Sequence, residues 1–288
     1  MTANPTHTNQ LPDADVVLIG AGIMSATLSS MLTLLDPDLR ILVLEKATDS
    51  AGESSEAWNN AGTGHSGYCE LNYMPDPADG SKPRHIAEQF HLTRQWWAHL
   101  VRQGLLDPTD FVHTTPHMNL VFGRDDVAYL RRRVDTLRAD PLFAEMEYTE
   151  DPDTIARWAP LTMEGRVDDG EPIAAARHLG GTDVDFGALT RALLTVGSTE
   201  VLTGHGVTGI EREANGWSIT GSSSMGPFSV RAGTVFVGAG GFALRLLQKA
   251  KVPEIRGYAV LPVGAAFYRC AAPSVVAPNS RRGGAEFR

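Results

Sequence analysis

The spacing of apolar positions changes period several times along this chain, and each change marks an element. Asp15-Val16-Val17-Leu18-Ile19 is short and continuously apolar, as in a strand buried on both faces. It runs into Gly20-Ala21-Gly22-Ile23-Met24-Ser25, and a helical pattern follows over residues 26–35. Arg40-Ile41-Leu42-Val43-Leu44 reads as a second buried strand, ended by Glu45. Residues 49–67 are small and polar, and 68–80 stay irregular, broken by Pro75 and Pro77. Helical spacing returns over 82–103, where Ile86, Phe90, Trp97 and Leu100 form one buried stripe. Residues 111–122 are strand-like, centred on Met118-Asn119-Leu120-Val121-Phe122. Asp125-Asp126 starts a helix with Val127, Leu130, Val134 and Leu137 inward and Arg131-Arg132-Arg133 on its solvated side. Residues 142–167, with prolines at 152 and 160, are expected to wrap the surface. Asp185 is placed to cap a helix over 188–196.

A β-rich section comes next. Residues 207–211 and 217–220 flank Asn215-Gly216, a hairpin signal, and 227–231 adds a third strand. Thr234-Val235-Phe236-Val237 is expected to be a buried strand running into Gly238-Ala239-Gly240-Gly241, with a helix over 242–250. The first βαβ unit suits an adenosine diphosphate moiety. Gly20 turns the chain off its strand, Gly22 lets backbone approach a pyrophosphate, and the helix N-terminus offers N–H groups to it. Glu45 is an acceptor for ribose hydroxyls. Ser25 fills the third glycine slot and is still small.

The order of elements is βαβ, long insertion, β-meander, then a return strand ending in a glycine turn. That order belongs to flavoproteins of the glutathione-reductase type, whereas an NAD dehydrogenase continues βαβα. The expected fold is therefore α/β: an FAD/NAD(P)-binding Rossmann-like domain with an inserted α+β substrate domain, which the family resemblance below implies is incomplete here. The expected divisions are a disordered 1–13, FAD-binding parts at 14–80 and 183–257, an inserted substrate region at 81–182, and at 258–288 the start of the incomplete substrate domain and an irregular tail.

Composition narrows the classes. The net charge of −9 over 288 residues argues against nucleic acid as the main partner. No apolar run approaches the roughly 18 residues of a membrane span. Residues 1–12 are polar, without the basic and apolar segments of a signal peptide. Cys69 and Cys270 lie in no CxxC pair, so each reads as a buried free thiol, and no metal or redox motif is visible. A cytoplasmic setting fits these features.

At this point the residues resemble the malate:quinone oxidoreductase family. Val17-Leu18-Ile19-Gly20-Ala21-Gly22-Ile23-Met24-Ser25-Ala26-Thr27-Leu28 is similar to its opening. Glu53-Ser54-Ser55-Glu56-Ala57-Trp58-Asn59-Asn60-Ala61-Gly62-Thr63-Gly64-His65-Ser66 is a far more specific match. Pro116-His117-Met118, Gly181-Thr182-Asp183-Val184-Asp185-Phe186-Gly187 and Val235-Phe236-Val237-Gly238-Ala239-Gly240-Gly241 extend it, over about 14–270. The resemblance implies an FAD enzyme of the citric acid cycle, peripheral on the inner face of the cytoplasmic membrane. It would oxidise (S)-malate to oxaloacetate and reduce a membrane quinone. By position it implies that Gly20, Ala21, Gly22, Met24, Ser25, Glu45 and Lys46 hold the ADP half of FAD. Ser54, Ser55, Asn60, Ala61, Gly62, Thr63, Gly64 and His65 would lie along pyrophosphate and flavin, with Val207, Gly238, Ala239 and Gly240 closing the site. Family members are considerably longer, and residues 276–288 match nothing in them, so the chain reads as truncated or frame-shifted.

Oxidising a 2-hydroxy acid at a flavin needs a base for the hydroxyl proton and cationic clamps for carboxylates. His65 and His117 are the base candidates. Arg269 is the leading clamp, with Arg84 and Arg177 behind it. Histidines 7, 85, 91, 99, 113, 178 and 205 read as surface or helix residues. A related FAD-dependent 2-hydroxy acid or glycerol-3-phosphate dehydrogenase, and an inactive fragment, remain as alternatives.

Overall fold

The computed structural model describes residues 8–64, 66–166, 170–261, 266 and 272. Along the chain run β1 (Asn9–Gln10), β2 (Ala14–Ile19), α1 (Ile23–Leu35), β3 (Ile41–Leu44), β4 (Thr63–Gly64), α2 (Ser81–Arg102), β5 (Val112–Thr114), β6 (His117–Phe122), α3 (Arg124–Arg138) and β7 (Glu147–Thr149). They continue with α4 (Pro152–Trp158), α5 (Pro160–Met163), β8 (Ile173–His178), β9 (Thr182–Val184), α6 (Phe186–Leu194), β10 (Glu200–Leu202), β11 (Gly206–Glu213), β12 (Gly216–Ser223), β13 (Gly226–Val237) and α7 (Ala243–Lys249). The chain forms two compact units. One takes the described chain up to Gly62 and again from Asp185; the other is Thr63–Val184.

The first unit is built on a sheet of order β10-β3-β2-β13-β12-β11, with β1 also paired to β13. β2, β3, β10 and the second half of β13 run parallel. β2 and β3 are buried almost throughout, as two-sided parallel strands require. α1 begins directly at Ile23, earlier than the apolar spacing suggests, because Gly22 is itself the N-cap. The buried face of α1 is small and hydroxylic (Ser25, Ala26, Ser29, Ser30, Thr33), which lets it sit close to α6. Ser29 and Thr199 join their hydroxyls at 2.5 Å.

The predicted third meander strand and return strand are one element. β13 pairs antiparallel with β12 up to Ala232 and parallel with β2 from that same residue, so the ladder passes from one partner to the other without a break. Its last residues, Val235 to Val237, are half-buried rather than buried, and the short α7 packs on this strand. The hairpin is tighter than expected: Glu213 pairs with Gly216, so the turn is Ala214-Asn215 and Gly216 already belongs to β12. The disorder expected over 1–13 does not hold at its end. Asn9 and Gln10 add to the edge of β13, and Ser229 Oγ donates to Gln10 Oε1 at 2.6 Å. Beyond that, residues 1–7 lie outside the described residues.

The second unit holds two sheets, β4-β9-β5 and β6-β8-β7, with α3 packed on β6 and β8. The division at 80–81 is corrected to 62–63, because β4 pairs with β9 and because Tyr68 and Met74 belong to this unit's core. The strand-like stretch 111–122 is two strands in two sheets. The stretch expected to wrap the surface does lie largely at the surface over residues 142–166, but it is anchored by three inward side chains and carries β7, α4 and α5. Phe143, Met146 and Ile155 are buried, while Pro152 and Pro160 begin α4 and α5, where a missing N–H costs nothing. Of the three arginines placed on the solvated side of α3, Arg131 and Arg132 are exposed and Arg133 is fully buried.

Candidate functional site

In the first unit the β2–α1 turn is shaped by close approach. Gly20 has φ +96°, and a β-carbon there would fall 2.7 Å from the Gly238 carbonyl oxygen. Gly238 in turn lies against Ser25, whose side chain is fully buried; a β-carbon on Gly238 would come well inside 3.0 Å of Ser25 Oγ. The off-pattern serine thus still permits the tight crossing of helix on strand that the motif requires. Ser25 Oγ has no hydrogen-bond partner among the described residues.

The N-terminus of α1 suits an anion. Gly22 gives it no side-chain cap, and no acid stands in the first turn. Its partial positive charge, about half a unit, is therefore not neutralised from within the helix. Ser55 Oγ accepts from Ile23 N–H at 3.0 Å, which ties the following loop to the helix start. Glu45, at the end of β3, accepts from Ala21 N–H and from Ala47 N–H, each at 2.7 Å. It holds the glycine turn with one oxygen and its own strand end with the other, and each oxygen keeps a further lone pair. Lys46 lies over the Phe242 ring, 5.4 Å from its centroid. The chain beyond Ala47 borders a cavity of about 480 Å³ lined by Thr48, Asp49, Glu56, Arg191 and Thr203, among others.

The polar loop is braced from inside. Asn60 Nδ2 donates to Ser54 O at 3.1 Å and Glu56 O at 2.8 Å, and its Oδ1 accepts from Gly62 N–H at 2.8 Å. Its amide is spent on loop shape, and Ala61 and Gly62 follow in irregular backbone. Gly240 opens a 3-10 turn with φ +51°, after Ala239. Val207, on β11, packs against the core under the sheet.

In the second unit, Thr63 and Gly64 form β4, and Thr182 of β9 stands directly against Gly64. His117 and His178 are cross-strand partners on β6 and β8. His117 donates Nε2–H to Thr182 O at 3.2 Å, which leaves the basic lone pair of that tautomer on Nδ1. His178 Nδ1 accepts from Gly180 N–H at 2.9 Å and so is held neutral. Burial pushes the His178 imidazole below its ordinary range; Glu145 and Glu147 pull it up and His117 pushes it down. Tyr68 stacks on His178 with centroids 3.8 Å apart and 7° between planes, and meets His117 edge-on at 6.4 Å. The hydroxyls of Ser66, Thr115 and Thr182 are buried without partners among the described residues.

His178 is thus corrected from a surface histidine to a buried strand residue, and His113 lies half-buried on β5. The alanine run before His178 hid its strand, because alanine reads as helix. The weaker clamps are committed elsewhere. Arg84 pairs with Glu88 and Asp140, and Arg177 binds Glu147 and stacks on Trp158. Cys69 is half-buried, with burial pushing its thiol up to about 12. His7, His65, Arg269 and Cys270 lie outside the described residues. Among the described residues no helix is long and apolar enough to cross a membrane, and no acidic, histidine or cysteine cluster is arranged to hold a metal.

The family model for malate:quinone oxidoreductase matches residues 12–282. The chain belongs to the malate:quinone oxidoreductase family. A probable malate:quinone oxidoreductase of Micrococcus luteus is 50% identical over 91% of the chain and 55% of its own length. One from Leifsonia xyli subsp. xyli is 49% identical over 93% of the chain and 57% of its own. The chain therefore spans about half the length of the curated malate:quinone oxidoreductases it matches. In fold it is similar to a dithionite-reduced L-α-glycerophosphate oxidase of Mycoplasma pneumoniae with FAD bound. The TM-score is 0.60 and the identity 17%, over 84% of this chain and 58% of that one. The expected FAD/NAD(P)-binding Rossmann-like fold is the fold observed.

Proposed function

We propose that the glycine turn of the first unit holds the ADP part of FAD, and that the malate:quinone oxidoreductase bearing this sequence oxidises (S)-malate to oxaloacetate. Electrons pass to a membrane quinone, as a step of the citric acid cycle. The enzyme acts as a peripheral protein on the inner face of the cytoplasmic membrane. The observation that carries the cofactor reading is the acid-free N-terminus of α1, with no side-chain cap from Gly22, under the crossing of Gly20 and Gly238. FAD, when bound, supplies the two-electron acceptor.

The chain's own residues supply the rest. Gly20, Ala21, Gly22, Met24 and Ser25 present backbone to the pyrophosphate. Glu45, already fixing Ala21 N–H, turns its remaining lone pairs to the ribose hydroxyls. Ser55 holds the Ile23 N–H at the start of α1, and Gly240 closes the site beside Ser54. His117, with Nε2–H fixed on Thr182 O, takes the hydroxyl proton of the 2-hydroxy acid at Nδ1.

The test is a flavin titration of the purified chain, followed by turnover with a quinone analogue. FAD is expected to bind in preference to NAD, and Gly22→Val to weaken it by at least about tenfold, since a side chain would stand between backbone and phosphate. A folded protein that ignores FAD sinks the cofactor assignment. Malate turned over no faster than glycerol 3-phosphate or 2-hydroxyglutarate sinks the substrate assignment.

A further inference from the structure

Arg133 is fully buried on α3, yet no carboxylate forms an ion pair with it among the described residues. Its guanidinium is directed at main chain. Nη1 donates to Tyr68 O at 2.9 Å, and Nη2 to Gly67 O at 3.2 Å and Glu70 O at 3.5 Å. Asn119 on β6 donates Nδ2 to Cys69 O at 3.3 Å. Two side chains from different elements thereby reach four consecutive carbonyls of a segment that lies in no strand or helix; of the four, Glu70 O also accepts from Tyr73 N–H, at the start of the following 3-10 turn.

This arrangement is unfavourable for the two side chains themselves. Arg133 Nε and Asn119 Oδ1 are buried without partners. Burying a guanidinium with no ion-paired carboxylate, and only the longer-range charge of Glu70 to offset it, is costly, and an apolar residue would pack the inner face of α3 without that cost. What the cation provides is direction. Its planar fork fixes several acceptors in one geometry, as a lysine ammonium does not. The segment it fixes carries Tyr68, the residue stacked on His178 and edge-on to His117.

We propose that Arg133 is a positioning residue that, with Asn119, clamps the backbone of residues 67–70 so that Tyr68 sets the plane of His178 and the place of His117. The catalytic consequence rests on the reading of His117 as proton acceptor; the clamp itself does not.

The test uses the full chain with labelled histidines, following the imidazole resonances by NMR across pH in wild type, Arg133→Lys and Tyr68→Leu. In wild type the His178 resonance carries the ring-current shift of a stacked tyrosine and titrates below the ordinary imidazole range, where burial outweighs Glu145 and Glu147. Both variants are expected to remove the ring-current shift and move the titration towards the ordinary range. In Arg133→Lys, kcat with malate should fall by about tenfold or more, with KM little changed, as expected for misplacement of a catalytic group. A folded Arg133→Lys with both His178 signals unchanged overturns the clamp, even if its melting temperature drops. If Arg133→Lys does not fold, Asn119→Ala, which releases only Cys69 O, is read in its place. A smaller shift in the same direction supports the clamp, and no shift overturns it. A wild type that turns over no malate refutes the proposed function and leaves the imidazole result to decide the clamp.

Discussion

The crossing of Gly238 over Ser25 makes a prediction with an internal control. Gly238 has no left-handed φ, so alanine there carries no backbone strain, and its cost is contact alone. The new methyl would come well inside 3.0 Å of Ser25 Oγ and 2.9 Å from a Phe236 ring carbon. Overpacking of this kind costs about 1–3 kcal/mol. The Phe236 ring is half-buried and can swing aside, so most of that cost should come from the serine hydroxyl. Ser25→Ala removes that oxygen, which has no partner in its buried site. Losing an unsatisfied hydroxyl and gaining helix propensity should stabilise the protein by about 0.5–1 kcal/mol. In the Ser25→Ala background, Gly238→Ala should then cost about 1–2 kcal/mol less than in wild type, a coupling well above the usual additivity error. Urea unfolding of wild type, both single variants and the double variant measures the cycle. Effects that add to within about 0.5 kcal/mol would refute the argument that the third motif position is set by this crossing.

The other predictions are simpler. Ser55→Ala should cost about 1 kcal/mol by exposing the Ile23 N–H at the helix start, read from the urea midpoint. Asp185→Ala removes the acceptor of Ala188 N–H at 2.9 Å and should cost about the same, confined to the first unit, as amide exchange of α6 would show. Burial holds the His178 imidazole below the ordinary value of about 6.5, so the unfolded chain takes its proton first as pH falls. Stability from neutral His178 is therefore complete above about pH 6.5 and lost below it, and His178→Gln should flatten that slope in unfolding midpoints taken from pH 7.5 down to 5. An unchanged slope would mean that other groups carry it.

Much of the first unit was legible in the sequence because its signals are local. The run 15–19, the two glycine turns, the Asp185 cap and the meander each declare themselves within a few residues, and each is found. What was not legible depends on partners far along the chain. Nothing in Ile173-Ala174-Ala175-Ala176-Arg177-His178 announces a strand; it becomes one because β6 and β7 flank it. Arg133 sits in a run of three arginines that reads as solvent-facing, and the carbonyls of Gly67 and Tyr68 that it satisfies explain why one of them turns in. The candidate site divides in the same way. Glu45 was placed from its spacing to the glycines, but its grip on Ala21 N–H is a matter of geometry, as is the consumption of the Asn60 amide by its own loop. His117 stands out in the sequence as a candidate base, whereas its cross-strand partner His178 and the Tyr68 ring that meets both do not.

The continuity of β13 has a consequence for how the chain is made. Phe236 pairs with Leu18, more than 200 residues earlier, so the strand that completes the parallel sheet is synthesised long after β2 and β3. The antiparallel half of β13 needs only the neighbouring hairpin and can form at once. Its parallel half must close a loop containing the whole second unit, a slow step by its contact order. Until then the open edge of β2 presents unpaired backbone along an apolar strand, the kind of surface that aggregates or recruits a chaperone. On the ribosome, the nucleotide-binding turn is thus among the first parts of this chain to be translated and among the last to acquire its final shape, because Gly238 arrives against Gly20 only when that edge is filled.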